Sequence, residues 1–87
     1  MYIILVYDIG EKRVGKMLRL CRRYLNWIQN SAFEGEITDV KYTELLCKAK
    51  NIIDKKEDSI VVFKHNSRIQ FEKEVIGVEN NSLDVIL

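Results

Sequence analysis

The sequence predicts an α+β sandwich in which two helices cover one face of an antiparallel sheet, and three observations predict it. Two continuous apolar runs, Ile3-Ile4-Leu5-Val6-Tyr7 and Ile60-Val61-Val62-Phe63, have the β-branched and aliphatic character of buried strands. Between them lie two stretches whose apolar residues recur at helical spacing. The whole pattern fits in fewer than 70 of the 87 residues, without proline, repeat or linker, which predicts a single domain spanning residues 1–87.

Residues 2–8 read as a strand buried on both faces, because no polar alternation interrupts the run. From Lys12 to Leu25 the apolar positions Val14, Met17, Leu18, Cys21 and Leu25 form a helical stripe, and Lys12, Arg13, Lys16, Arg19, Arg22 and Arg23 fill the remaining surface. Trp27 to Ile37 carries aromatic and β-branched residues with an interruption at Gly35, which fits either a long bulged strand or a tight hairpin. A second helix is expected from about Asp39 to Asp54, with Tyr42, Leu45, Leu46, Ala49, Ile52 and Ile53 on one stripe and Thr38 or Asp39 as N-cap. Ser59 to Lys64 reads as a strand lying beside the first. Two further extended pieces follow, Ile69 to Val78 and Leu83 to Leu87.

This order is the split β-α-β, ferredoxin-like arrangement. The C-terminal pieces have no place in that unit, and a chain this short buries only about 60–65% of its unfolded surface. A two-fold homodimer is therefore expected, with the additional C-terminal strands exchanged between protomers.

The formal charge of +1 conceals two segments, +4 over residues 1–33 and −3 over residues 34–87. Six cations fall within the twelve residues from Lys12 to Arg23, with no acidic side chain among them. Such a run can neutralise several phosphates without reading sequence, so Lys12, Arg13, Lys16, Arg19, Arg22 and Arg23 are candidate nucleic-acid contacts. The competing reading is a solvated cationic face.

The longest apolar run has five residues, far short of the roughly 20 that cross a bilayer. It has no basic leader and stops at Asp8, so no signal peptide and a cytoplasmic location are expected. Cys21 and Cys47 form no CxxC pair and have only His65 as a further ligand type, too few for zinc, and both read as buried free thiols. Gly10 and Gly15 do not form a phosphate-cradling GxGxxG motif, and a single histidine gives no support for a nucleophile triad. The scattered aromatics read as core.

Asp8 is the outstanding chemical candidate, a carboxylate at the end of a buried strand and just before Gly10. As a bland alternative it would cap backbone amides ahead of the first helix. Magnesium takes only one or two carboxylates and keeps several waters, so two copies of Asp8 across a dimer axis would hold Mg2+ or Mn2+. A metal held there would polarise a phosphate and lower the pKa of a bound water.

The chain resembles the CRISPR-associated small ferredoxin-like subunit that accompanies the spacer-acquisition integrase, a family of CRISPR-associated endoribonucleases. The resemblance rests on Tyr2-Ile3-Ile4-Leu5-Val6-Tyr7-Asp8-Ile9, on Lys12-Arg13-Val14, and on Gln29-Asn30-Ser31-Ala32-Phe33-Glu34-Gly35. It extends to Glu57-Asp58-Ser59-Ile60-Val61-Val62-Phe63 and to Ile76-Gly77-Val78-Glu79. It implies a homodimer whose first-strand aspartates face each other, and a magnesium-dependent phosphodiesterase acting on RNA or DNA. It further implies a bridging role between integrase dimers on duplex DNA. Asp8 carries over as the catalytic metal ligand, with Tyr7, Arg13, Ser31 and Phe33 as its active-site neighbours.

Overall fold

The computed structural model describes residues 1–66 and 72–78. Six elements follow one another: β1 (Tyr2–Asp8), α1 (Glu11–Tyr24), β2 (Asn26–Gln29), β3 (Ala32–Glu36), α2 (Asp39–Ile52) and β4 (Ser59–His65). The four strands form one antiparallel sheet in the order β2-β3-β1-β4, the ferredoxin-like topology expected from the sequence.

β1 is central because it is the most continuously apolar strand, and it pairs with β3 on one side and β4 on the other. Its alternate residues divide between two environments. Ile3, Leu5 and Tyr7 are buried with Met17, Leu20 and Cys21 of α1, Phe33 of β3, and Leu45 and Ala49 of α2. Ile4, Val6 and Asp8 point the other way, onto a face that no helix covers, where Val6 is 38% exposed. Burial of β1 on both faces therefore does not occur within one chain: two helices can roof only one side of a sheet. β4 repeats the pattern, with Ile60 and Val62 partly buried under α2 and with Val61 (50%) and Phe63 (61%) on the open face. Phe63 accordingly departs from the expectation that the aromatics are core.

The stretch from Trp27 to Ile37 is a hairpin that also carries a bulge. β2 and β3 pair with a register shift between Trp27 and Gln29, and Asn30 turns the chain at φ 46°, a left-handed conformation that asparagine tolerates. Gly35 does not interrupt this segment. It lies within β3 opposite Ile3, where a Cβ would stand 3.4 Å from Leu25 Cδ2, so its lack of a side chain lets Leu25 pack against the strand.

Thr38 is the N-cap of α2, its Oγ1 accepting from Lys41 N at 3.1 Å. Thr38→Ala is expected to destabilise the fold by about 1 kcal/mol, read as a shift in the urea midpoint. The Tyr24 hydroxyl donates to Glu44 at 2.7 Å and ties the end of α1 to α2. Both cysteines are free, and Cys21 is buried as expected, its thiol pushed up to about 12 by burial. Cys47 instead is exposed, because it falls off the Tyr42–Ile53 stripe.

Residues 72–78 form no strand in the single chain, so the Ile69–Val78 expectation fails there. The rest of that piece, the Leu83–Leu87 strand and its exchange between protomers lie outside the described residues. Among the described residues no helix is long and apolar enough to cross a membrane.

Candidate functional site

The last residue of β1 places Asp8 directly opposite Ser59, the first residue of β4. Residues opposed in this way have Cβ atoms about 5 Å apart and project to the same side. Asp8 and Ser59 therefore stand together at one end of the open face, both exposed. The Asp8 carboxylate accepts no hydrogen bond and forms no ion pair among the described residues.

The capping of backbone amides ahead of α1, the bland alternative for Asp8, is carried out by Asp58. Its side chain is fully buried and receives four hydrogen bonds. Gly10 N and Arg13 Nη2 donate to Oδ1 at 2.8 and 3.0 Å, and Arg13 Nε and Asp54 N donate to Oδ2 at 2.6 and 2.8 Å. The Arg13 guanidinium and the two backbone donors hold the Asp58 carboxyl far below the usual carboxylate range, against the opposing effect of burial. Arg13 is raised in turn, chiefly by the hydrogen bond to Asp58, and its Nη2 also reaches Glu57 at 3.0 Å. One carboxylate thus joins the β1–α1 junction, the first turn of α1 and the turn before β4. A Cβ at Gly10 would lie 2.5 Å from Arg13 Nη2, so a side chain there would push the guanidinium from its place against Asp58.

The residues implied beside Asp8 sit around its backbone rather than on the open face. Tyr7 and Phe33 are buried on the helical side, their rings stacked at 6.1 Å. Ser31 is half-buried in the hairpin turn, and its carbonyl accepts from Tyr7 N at 3.1 Å, which fixes the turn against the end of β1. Arg13 is committed to Asp58 and Glu57. These four position the strand end that presents Asp8. Ser59 and Asp58 were not picked out as site residues from sequence. Ser59 emerges only from the β1–β4 register, and Asp58 only from its contacts with residues 45 and 48 positions away.

No cluster of three or more His, Cys, Asp or Glu side chains able to hold a metal occurs among the described residues. The donor set at Asp8 is one free, hard carboxylate per chain. That fits a hydrated magnesium or manganese ion sharing its coordination with water, phosphate oxygens and a second carboxylate, and does not fit an all-protein cage.

The six cations of α1 separate into three environments. Arg13 is bound to Asp58, and Arg22 lies over the Trp27 ring at 5.7 Å. Lys12, Lys16, Arg19 and Arg23 are exposed and make no ion pair among the described residues.

A family model described as CRISPR associated protein Cas2 matches residues 1–73. The CRISPR-associated endoribonuclease Cas2 of Thermotoga maritima is 47% identical over 79 residues, which cover 91% of both chains. That of Dictyoglomus turgidum is 40% identical over 87 residues, the full length of both. Among solved structures, a crystal structure of a Cas2 protein matches with a TM-score of 0.81 at 35% identity, covering 92% of this chain and 90% of that one. The Streptococcus pyogenes Cas2 structure matches with a TM-score of 0.76 at 29% identity, covering 88% and 100%.

Proposed function

The chain belongs to the CRISPR-associated Cas2 family, and we propose that it is a metal-dependent endonuclease. It would hydrolyse RNA or DNA phosphodiester bonds in the spacer-acquisition stage of antiviral defence, as a homodimer that joins two pairs of integrase subunits. The relatives' name, endoribonuclease, supports the reaction class. The observation that carries the reading is the position of Asp8, an unpaired exposed carboxylate among the described residues, at the rim of a sheet face that no helix covers and on which Val6, Val61 and Phe63 are exposed.

The same face supports the dimer. Ile4, Val6, Val61 and Phe63 form a contiguous apolar surface, and a second copy of the sheet is the cover that would bury it. A two-fold axis near the strand ends brings both Asp8 carboxylates, each with its Ser59, to one locus. Magnesium bound there would polarise the scissile phosphate. The protein's own part is to present two acceptor carboxylates on rigid strands, held in register by the Ser31 turn on one side and by Asp58 on the other.

Phe63→Asp tests this arrangement, because it places a charge in the middle of the proposed interface. The variant is expected to sediment as a monomer and to lose cleavage in step with dissociation. A monomeric variant that cleaves at the wild-type rate would show that one Asp8 suffices. Removal of divalent metal by EDTA is expected to abolish cleavage, and manganese to restore it.

The unpaired cations of α1 favour a second reading, that of a structural adaptor that holds duplex DNA in the integrase assembly. The two readings use different residues and different faces of the sheet.

A further inference from the structure

Glu34 is a carboxylate in an apolar row. The strand registers set it opposite Ile4 of β1, and Ile4 has Phe63 of β4 on its other side. Residues opposed in this way project to the same side of a sheet, so the three form one row across the open face. A charge in such a place is costly unless it is paired. No helix covers this face, yet the Glu34 side chain is only 12% exposed, and both of its oxygens are engaged. The Tyr2 hydroxyl, from the next row, donates to Oε1 at 2.8 Å, and Lys73 Nζ lies 3.1 Å from Oε2. Burial and the Glu34 carboxylate push the Tyr2 hydroxyl up to about 12, so it stays a donor at any ordinary pH.

Lys73 comes from outside the sheet. It belongs to residues 72–78, which form neither helix nor strand, and among the described residues no other ion pair joins this segment to the sheet. Just beyond it the segment shows apolar side chains to solvent: Val75 is 42% exposed, Ile76 94% and Val78 84%. Gly77 bends the backbone between the last two at φ 100°, a conformation that other residues rarely adopt, with open space where a Cβ would stand. Three exposed apolar residues on so short a stretch make a surface for a partner to cover.

We infer that Glu34 is the mooring point of this segment: Tyr2 orients its carboxylate, the carboxylate fastens Lys73 of the same chain, and the fastening presents Val75, Ile76 and Val78 to a second copy. The inference rests on the homodimer reading and adds to it the residue that orders the arm. Lys73 is fastened on the same face whose apolar surface a second copy would bury, so arm and face belong to one interface. The gain is preorganisation. An arm ordered only on binding gives up its conformational freedom at that moment, whereas an arm tied at one end beforehand gives up less. A plain apolar interface has no use for a carboxylate in the Ile4–Phe63 row; a cation to be fastened there does.

The test is a charge exchange, read as the dimer dissociation constant by sedimentation equilibrium of the whole chain at about 0.3 M salt, where long-range attraction is screened. Glu34→Lys and Lys73→Glu are each expected to raise that constant by on the order of tenfold, because each sets like charges together. The double variant Glu34→Lys, Lys73→Glu is expected to recover most of the loss. An equimolar mixture of the two single variants shows which chain supplies the lysine. A fastening within one chain gives no recovery on mixing, whereas a lysine reaching over from the partner would meet the opposite charge in the mixed dimer and restore it. Recovery on mixing would therefore overturn the inference, as would a double variant no better than the worse single one. Where Glu34→Lys fails to fold, Lys73→Gln carries the test, since that side chain is partly exposed. It is expected to weaken the dimer roughly fivefold and to speed amide hydrogen exchange over residues 72–78. Lys50→Gln, an exposed lysine of α2, is expected to change neither. An unchanged dissociation constant in Lys73→Gln would overturn the mooring, and a wild-type chain that is monomeric at every concentration would defeat the homodimer reading itself.

Discussion

Asp8→Ala is expected to lower metal-dependent cleavage by roughly 10²–10⁴-fold, the range spanned by a working acid, base or ligand and its absence. The melting temperature should stay within about 2 °C of wild type, because the side chain is exposed and makes no hydrogen bond or ion pair among the described residues. This separation makes the experiment decisive. A variant at Tyr7 or Phe33 would also lose activity, but through collapse of the stacked pair beneath β1. If two carboxylates meet across the dimer axis, their mutual repulsion is relieved by alanine, so the dimer should tighten rather than loosen. Asp8→Asn should behave in the same way, since it keeps the shape and removes the charge. Undiminished cleavage by a stringently purified Asp8→Ala protein would defeat the nuclease reading and leave the adaptor.

Asp8 could be singled out from sequence because its signal is local: a carboxylate that ends an apolar run, followed by a glycine two positions later. The first and last strands, β1 and β4, and both helices are legible for the same reason, since period and capping residues lie within a few positions of each other. The hairpin was ambiguous because its bulge breaks the alternation between Trp27 and Gln29 and because an asparagine, not a glycine, makes the left-handed turn. Gly35 looked like a break because sequence shows a missing side chain but not the Leu25 that occupies the space.

Two further features escaped because they depend on what covers a surface. An apolar run such as Ile60-Val61-Val62-Phe63 predicts burial on both faces, and the single chain supplies a roof for one only. The missing cover is what the second copy proposed above would supply. The cationic run likewise reads as six equivalent charges. Folding ties Arg13 to Asp58 and lays the exposed Arg22 over the Trp27 ring, while the other four make no ion pair among the described residues.

Asp58→Ala is expected to be the most damaging single change in the loops around the site. It leaves the Arg13 guanidinium and the amides of Gly10 and Asp54 without their shared acceptor. Breaking a buried pair of this kind is costly because the surviving partner keeps its desolvation penalty, and the melting temperature should fall on the order of 10 °C. The pH dependence supplies an independent check. Because Asp58 is held below its unfolded value, the unfolded chain takes up the proton first as the solution is acidified. The stabilisation from this group is therefore fully present above about pH 4 and is lost progressively as the pH falls towards the depressed folded value. Asp58→Asn, which cannot titrate, should show a shallower loss of stability than wild type below about pH 4. Equal slopes would mean that other carboxylates govern acid unfolding. The consequence for the site follows from connectivity: Gly10 is two residues beyond Asp8, and Ser59, its cross-strand neighbour, comes directly after Asp58. Asp58→Asn keeps the size of the side chain, so at a temperature where it is fully folded it isolates positioning from stability. Cleavage should then fall chiefly through kcat, because the anchor that Asp58 gives to the strand end carrying Asp8 is weakened.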